Sequence, residues 1–373
     1  MHKLIDALLH LDRRPNIVLR LADRYLGIPL VVILGLLSRK QAEIPKVIRS
    51  IGILGNAAIG DTVISSAPIA DMRAALPGVK LVLFAPGADC AMICSMISGL
   101  DAVVAIRMNH PVDTIRTIRR YGPFDIWFDF GPWPRANAAI SFFAPASLRV
   151  GFNTPGQYRH GVYDRSAAHG NDVHEVVNYR RLLAAAGIAG SHIPALRPQR
   201  TASSVPRIVM HVIAGGTAAA MKMWPEPHWI TLIDHVIAGG MPVVLTGSGR
   251  DREQLEHLRN RCHDSSQIEN AAGRLSLIET AELLACSTAV VSIDSGVMHL
   301  AAALNCRLVA LFGATSPRRW GPLNAHARVL YTEKDCSTCV SLGLEKGCGS
   351  NRCMGDLTPE AVIQELDLLI AGE

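Results

Sequence analysis

The chain has 373 residues, 49% hydrophobic and 18% charged, which describes a well-packed globular protein and excludes a disordered one. Its formal net charge of +5 suits anionic ligands or an anionic membrane surface. With aromatics at only 5%, that charge excludes the dense basic and base-stacking surfaces of a nucleic-acid binder. The length fits one very large domain or two ordinary ones.

The first residues, Met1-His2-Lys3, lead into a mixed polar and apolar segment without a small-residue cleavage site. The nine cysteines are therefore expected to be reduced thiols of a cytoplasmic protein. Residues 1–45 read as an apolar and basic helical extension. Its uncharged run from Leu26 to Leu37 is shorter than the roughly 20 residues a spanning helix needs. Arg13, Arg14, Arg20 and Arg24 flank the run on one side, and Arg39, Lys40 and Lys46 on the other. Two readings stay open: a docking helix pair turning at Pro29, or a monotopic anchor on an anionic cytoplasmic leaflet.

After the extension, strand-like and helix-like patterns alternate, as they do in a parallel sheet with crossover helices. The first half gives "VIRSIGIL", "VKLVLFAP", "DAVVAI", "FDIWFDF" and "SLRVGF". The second gives "PRIVMHVI", "MPVVLTGSG", a charged helix over 251–261, "AVVSID" and a run from Arg307 to Phe312. Residues 187–206, rich in Gly, Pro and Ser and without a period, read as the linker. The expected architecture is α/β: two Rossmann-like domains, 46–190 and 205–373, facing across a cleft. Ligands of such sheets collect at the C-terminal ends of strands, so the strand-to-helix turns hold the candidate residues.

The first turn, "GILGNAAIGDTVISSAPI", spaces Gly55 and Gly60 as in a phosphate-binding P-loop. It then offers Asp61 and Thr62 where that motif needs Lys and Ser/Thr, and it does not match GxGxxG either. What remains is a glycine turn presenting a carboxylate. Asp61 is either a general base for a substrate hydroxyl or the cap of a helix starting near Thr62.

In the second half, Gly215-Gly216-Thr217 can hold phosphate oxygens on backbone amides, and Lys222 can neutralise a departing diphosphate or simply be a surface lysine. Trp224-Pro225 reads as a helix entry. The turn "DSGVMH" joins Asp294, Ser295, Gly296, Met298 and His299. Gly296 permits close backbone approach, a helix beginning near Val297 aims its positive end at an anion, and Ser295 offers a hydroxyl to phosphate. Asp294 suits sugar hydroxyls, while His299 taken alone is a buried structural histidine as readily as a ligand. One turn would then hold both parts of a nucleotide-sugar.

"DSGVMHLAAAL" followed by "LVALFGATSPRRWGP" resembles the C-terminal signature of the family 9 glycosyltransferases, the heptosyltransferases of bacterial lipopolysaccharide core assembly. "GNAAIGDTVISSAPI" resembles that family's glycine-aspartate loop and "KMWP" its lysine loop. The resemblance runs from about residue 47 to the C-terminus. It implies a GT-B fold and an inverting, metal-independent transfer of heptose from ADP-heptose to a lipopolysaccharide core or related glycan, at the cytoplasmic face of the inner membrane. By position it implies Asp61 as the base, with Gly60 and Thr62 beside it, and Lys222 on the donor phosphate. It places Asp294 on the donor, and Gly216, Thr217, Ser295, Gly296, Met298 and His299 along the donor site. Arg318 and Arg319 are candidates for reaching phosphates, and acceptor selectivity is expected in loops such as "FGPWPRAN". Two rivals are a nucleotide-sugar epimerase of the same architecture and a non-catalytic assembly homologue.

Cys336, Cys339, Cys348 and Cys353 fall within 18 positions near the C-terminus. Tetrahedral thiolate coordination of structural zinc or iron is one expectation, and some members of the resembled family carry a similar cluster that holds iron. Reduced cysteines in a surface loop, or a pair of disulfides, is the other.

Overall fold

A computed structural model of the chain describes residues 23–38, 42–198, 205–216, 218–340, 348 and 350–372. Two six-stranded sheets carry the fold, and every strand pair in them is parallel. The first contains β1 (Ser50–Leu54), β2 (Lys80–Pro86), β3 (Ala102–Ile106), β4 (Phe124–Asp129), β5 (Ala146–Asn153) and β6 (Arg165–Ala168). Its order is β3-β2-β1-β4-β5-β6. The second contains β7 (Val205–His211), β8 (Val243–Leu245), β9 (Ile268–Asn270), β10 (Ser287–Ile293), β11 (Leu308–Phe312) and β12 (Ala327–Tyr331), ordered β12-β11-β10-β7-β8-β9. Read from β9 this is the same permutation, so the two halves repeat one Rossmann-like topology. Each has its switch point between its first and fourth strands, β1/β4 and β7/β10.

The central strands are apolar on both faces because helices cover both sides. In the first half these are α2 (Ile59–Ile64), α3 (Ser66–Ala75), α4 (Ala88–Ser95), α5 (Pro111–Tyr121), α6 (Arg135–Phe142) and α7 (Glu175–Ala184). In the second they are α8 (Glu226–Ala238), α9 (Arg252–Arg261), α10 (Leu277–Ala285), α11 (Gly296–Ala303), α12 (Pro317–Trp320), α13 (Arg352–Gly355) and α14 (Pro359–Ala371). The fit is close at the sheet centre. A Cβ on Gly52 of β1 would sit 2.5 Å from the Trp127 ring on β4. That ring is fully buried and its indole N–H donates to Ser141 Oγ at 3.0 Å.

Residues 187–198 of the expected linker form no regular element, yet they are pinned at several points. The Leu196 amide donates to the Ala303 carbonyl and the Arg197 amide to that of Met96. His192 meets the buried Asp71 carboxylate through both its backbone N–H and its ring. The N-terminal extension contributes α1 (Ile28–Leu37), packed through Val31, Leu34 and Gly35 against α6 and the short turn His160–Val162. Among the described residues no helix is long and apolar enough to cross a membrane.

The two halves touch where α2 meets α11. Gly60 admits the His299 ring, since a Cβ there would lie 2.8 Å from His299 Cδ2. Gly296 admits Ile59, whose Cγ2 would be 2.8 Å from its Cβ. Each helix thus offers a glycine to a side chain of the other. Gly296→Ala is predicted to lose about 1–3 kcal/mol of stability through overpacking, although alanine gains roughly 1 kcal/mol in helix propensity. Urea denaturation of both proteins checks this, and an unchanged or higher midpoint would contradict it.

Candidate active site

The site is assembled from five turns at the C-terminal strand ends, two from the first half and three from the second. The turn after β1 leads into α2, whose cap residue is Ala58, so Asp61 lies inside the first helical turn. Its side chain makes no cap hydrogen bond, and the capping expectation fails because the helix begins at Ile59 rather than Thr62. Asp61 is half-buried. Burial is the largest influence on its carboxyl and Glu175 the next. Arg319 and Lys222 pull the other way, and the balance raises the pKa to about 7. Such a group is poised to accept a proton near neutrality.

Thr62 is buried, and its hydroxyl donates to the Ala58 and Asn56 carbonyls at 2.8 and 3.2 Å. Gly60 likewise serves the contact with His299.

In the second half, the turn after β7 leaves Gly215 and Gly216 with open space where a Cβ would be, and Gly216 has φ +79°. Thr217 lies outside the described residues. Lys222 ends the short turn Ala219–Lys222 and pairs with Asp294, Nζ to Oδ2, at 2.7 Å. The Thr315 hydroxyl donates to the same oxygen at 2.7 Å. Burial alone would raise the Asp294 pKa, but Lys222, His299 and Thr315 outweigh it and hold the carboxylate below its usual range. Asp294 is thus an ionised acid inside the site, compensated by one lysine.

Ser295 caps α11, accepting the Met298 amide at 3.2 Å. The Met298 amide is thus held within the helix and its side chain is buried. The Gly296 expectation also changes, because its close approach is to Ile59. His299 is buried beneath Gly60 with its ring edge toward Trp320, and burial lowers its pKa to about 4. It is neutral at physiological pH and adds no positive charge for a diphosphate.

A second group of charges, of which the sequence reading named only Arg319, lies beside it. Glu175 opens α7, fully buried, and bonds to His169 Nε2 at 2.7 Å and Asn178 Nδ2 at 3.2 Å. Arg319 on α12 reaches it from the other half at 3.5 Å and stacks on Trp320. Burial would raise the Glu175 pKa, but His169, Arg319 and Asn178 lower it below the usual carboxylate range. Beside it, burial lowers the His174 pKa, so the ring is neutral. Its Nδ1 accepts the Val176 amide at 3.2 Å, which assigns the proton to Nε2 and lets it donate to the Gly321 carbonyl at 2.9 Å. His174, Glu175 and Arg319 therefore bind the halves together beside Asp61. No partner of Glu175 across the halves lies within 140 positions of it in sequence, and a glutamate opening a helix looks like ordinary dipole pairing.

The cysteine cluster departs from the metal expectation. Cys336 is exposed, whereas Cys353 is drawn into the second core under Gly313, and all nine thiols are free. Among the described residues, no group of three or more His, Cys, Asp or Glu is disposed to hold a metal ion. The described residues thus give no support to a structural zinc or iron at these thiols.

Comparison with known proteins bears on the whole chain. Lipooligosaccharide heptosyltransferase 2 of Haemophilus influenzae is 27% identical over 346 residues, 86% of this chain and 99% of that protein. Lipopolysaccharide heptosyltransferase 2 of Salmonella typhimurium is 28% identical over 86% of this chain and 98% of its own length. The solved E. coli ADP-heptose lps heptosyltransferase II superposes with a TM-score of 0.71 at 25% identity, covering 87% of this chain and 99% of that one. An E. coli heptosyltransferase solved with ADP shares the fold, with a TM-score of 0.68 at 19% identity over 86% and 99% of the two chains. These neighbours establish the two facing Rossmann-like domains as a GT-B fold. Residues 135–347 match glycosyltransferase family 9 (heptosyltransferase), and the chain belongs to that family.

Proposed function

We propose that this enzyme transfers heptose from ADP-heptose to a lipopolysaccharide-core acceptor, with inversion at the anomeric carbon and no metal in the chemical step. The observation that carries the proposal is the half-buried Asp61, its pKa raised to about 7, beside Lys222. Asp61 takes the proton of an acceptor hydroxyl as that oxygen attacks the anomeric carbon. The bond from that carbon to the ADP oxygen breaks on the opposite face, and the proton leaves Asp61 to solvent afterwards. Negative charge growing on ADP falls to Lys222 and the N-terminus of α11, a preorganised stabilisation worth about 3–4 kcal/mol for one well-placed donor. Lys222 and α11 thus do what a divalent cation does in other transferases.

Asp294 contributes in two ways. Its Oδ2 aims Lys222 at the donor phosphates, and its Oδ1 is available to a donor hydroxyl. Gly215 and Gly216 line the same space with backbone amides. His299, being neutral, serves as packing that fixes α2 against α11. The relatives favour transfer over epimerisation or a non-catalytic role. An amphiphilic acceptor supports a peripheral position on the cytoplasmic face of the inner membrane.

Lys222→Ala is expected to lower kcat by about 10²–10³, measured with ADP-heptose and a lipopolysaccharide-core acceptor. Transfer should persist in excess EDTA, and its loss there would overturn the metal-independent step. Asp61→Asn tests the base through two opposed effects. Its folded pKa lies above the unfolded value, so Asp61 favours folding below pH 4 and loses that contribution as pH rises through about 7. At pH 8 the variant should be inactive yet more stable than the wild type by about 1–3 kcal/mol, less than the full shift implies because water reaches the carboxyl. Denaturation at pH 8, pH 5 and pH 3.5 checks this, with the gain expected to be largest at pH 8, smaller at pH 5 and nearly gone at pH 3.5.

A further inference from the structure

Helix α1 is apolar on every side. Val31, Leu34 and Gly35 face inward, toward α6 and the turn His160–Val162, while Leu30, Val32, Ile33, Leu36 and Leu37 face outward with exposures from 43% to 77%. Tyr25 and Leu26, just before the helix, are 68% and 72% exposed. No charged residue occurs from Tyr25 to Ser38. A helix packed on one side against a domain normally turns a polar face to water. A helix apolar on every side is ordinarily buried on every side, in a protein core or in lipid, so the outward face of α1 calls for an apolar partner.

Charge supplies the second observation. At the C-terminal end of α1 lies an open cavity of about 840 Å³, walled by Leu37, Phe142, Phe143 and Pro145 and edged by Arg119 and Arg149. Arg149 leans toward Asp164 at 3.7 Å, while Arg119 has no hydrogen bond or ion pair among the described residues. Phe143 is 40% exposed and extends the apolar surface of α1 to the cavity mouth. Arg24, exposed, stands at the opposite end of the strip. An apolar strip bounded by guanidinium groups complements acyl chains beneath a layer of phosphates.

The strip lies on the acceptor half and runs alongside α6. Asp23 is paired with Arg135 at the start of α6, and Leu37 meets the residues at its end. Since α6 begins just past β4, the Tyr25 end of the strip lies on the strand-end side that carries the active site.

We propose that α1 and the adjoining cavity form a docking surface for an anionic phospholipid bilayer, with the outward leucines and Ile33 in the acyl boundary and a lipid phosphate between Arg119 and Arg149. The proposal deepens the peripheral placement above by naming the surface and the lipid class.

The test is co-sedimentation of the full chain with vesicles of pure phosphatidylcholine and of phosphatidylcholine with a quarter phosphatidylglycerol. The wild type should bind the anionic vesicles at least tenfold more tightly. The double variant Ile33→Glu with Leu36→Glu should lose binding to both by tenfold or more. Arg119→Glu should lose several-fold on anionic vesicles only. All three proteins should transfer heptose equally to a deacylated, soluble acceptor, which reports folding and catalysis apart from docking. Undiminished vesicle binding by the double variant overturns the proposal. So does a wild-type dimer that this variant dissociates, since a second copy would then occupy the face. Vesicle binding that appears only after removal of residues 1–22 also overturns it, because the chain would cover its own strip. Failure of the soluble assay in the wild type would count against the transferase reading and leave the docking result standing.

Discussion

The active site depends on one steric constraint, the crossing of α2 and α11. Gly60 receives the His299 ring and Gly296 receives Ile59, so the two helix starts approach without the spacing that side chains would impose. That approach carries Asp61 of the first half into range of Lys222 and Arg319 of the second. It also removes much of the water around Asp61, the main reason for its raised pKa. Packing and acid-base chemistry are here two consequences of the same contact, and desolvating Asp61 costs stability that the surrounding structure supplies.

The charges around that contact divide into two compensated groups. Lys222, Asp294 and Thr315 form one within the second half, with a buried carboxylate held ionised by a cation. His169, Glu175 and Arg319 form the other and span the halves. Unpaired buried charges would each be expensive, and the pairing lets both acids stay ionised close to a third that is not fully so. Glu175 raises the Asp61 pKa and Arg319 lowers it, so the group that joins the halves also adjusts that carboxyl.

Much of the fold was legible in the sequence because central parallel strands are continuous apolar runs, as in "VLFAP" and "IWFDF". The edge strands β6, β9 and β12 were not. "RSAA" and "IEN" are three or four residues long and half polar, and neither period nor composition separates them from loop. Turn motifs gave Asp61, Lys222 and Asp294 as candidates because glycine marks where backbone bends at a strand end. Thr315, His169 and Glu175 carry no local mark, since each gains its partner only through the tertiary fold. The packing partners of Gly296, Thr62 and Met298 were hidden for the same reason. Spacing locates a residue on a turn but does not say which neighbour fills the space beside it.

The central claim is that Asp61 is a desolvated carboxyl titrating near neutrality between the two halves. Direct titration of the aspartate carboxyl carbons in ¹³C-labelled protein, with Asp61→Asn to assign the signal, measures this without an activity assay. A resonance absent from the variant and titrating near pH 7 is the predicted result. A midpoint near pH 4, the ordinary aspartate value, would show an ionised and well-hydrated group and contradict the account.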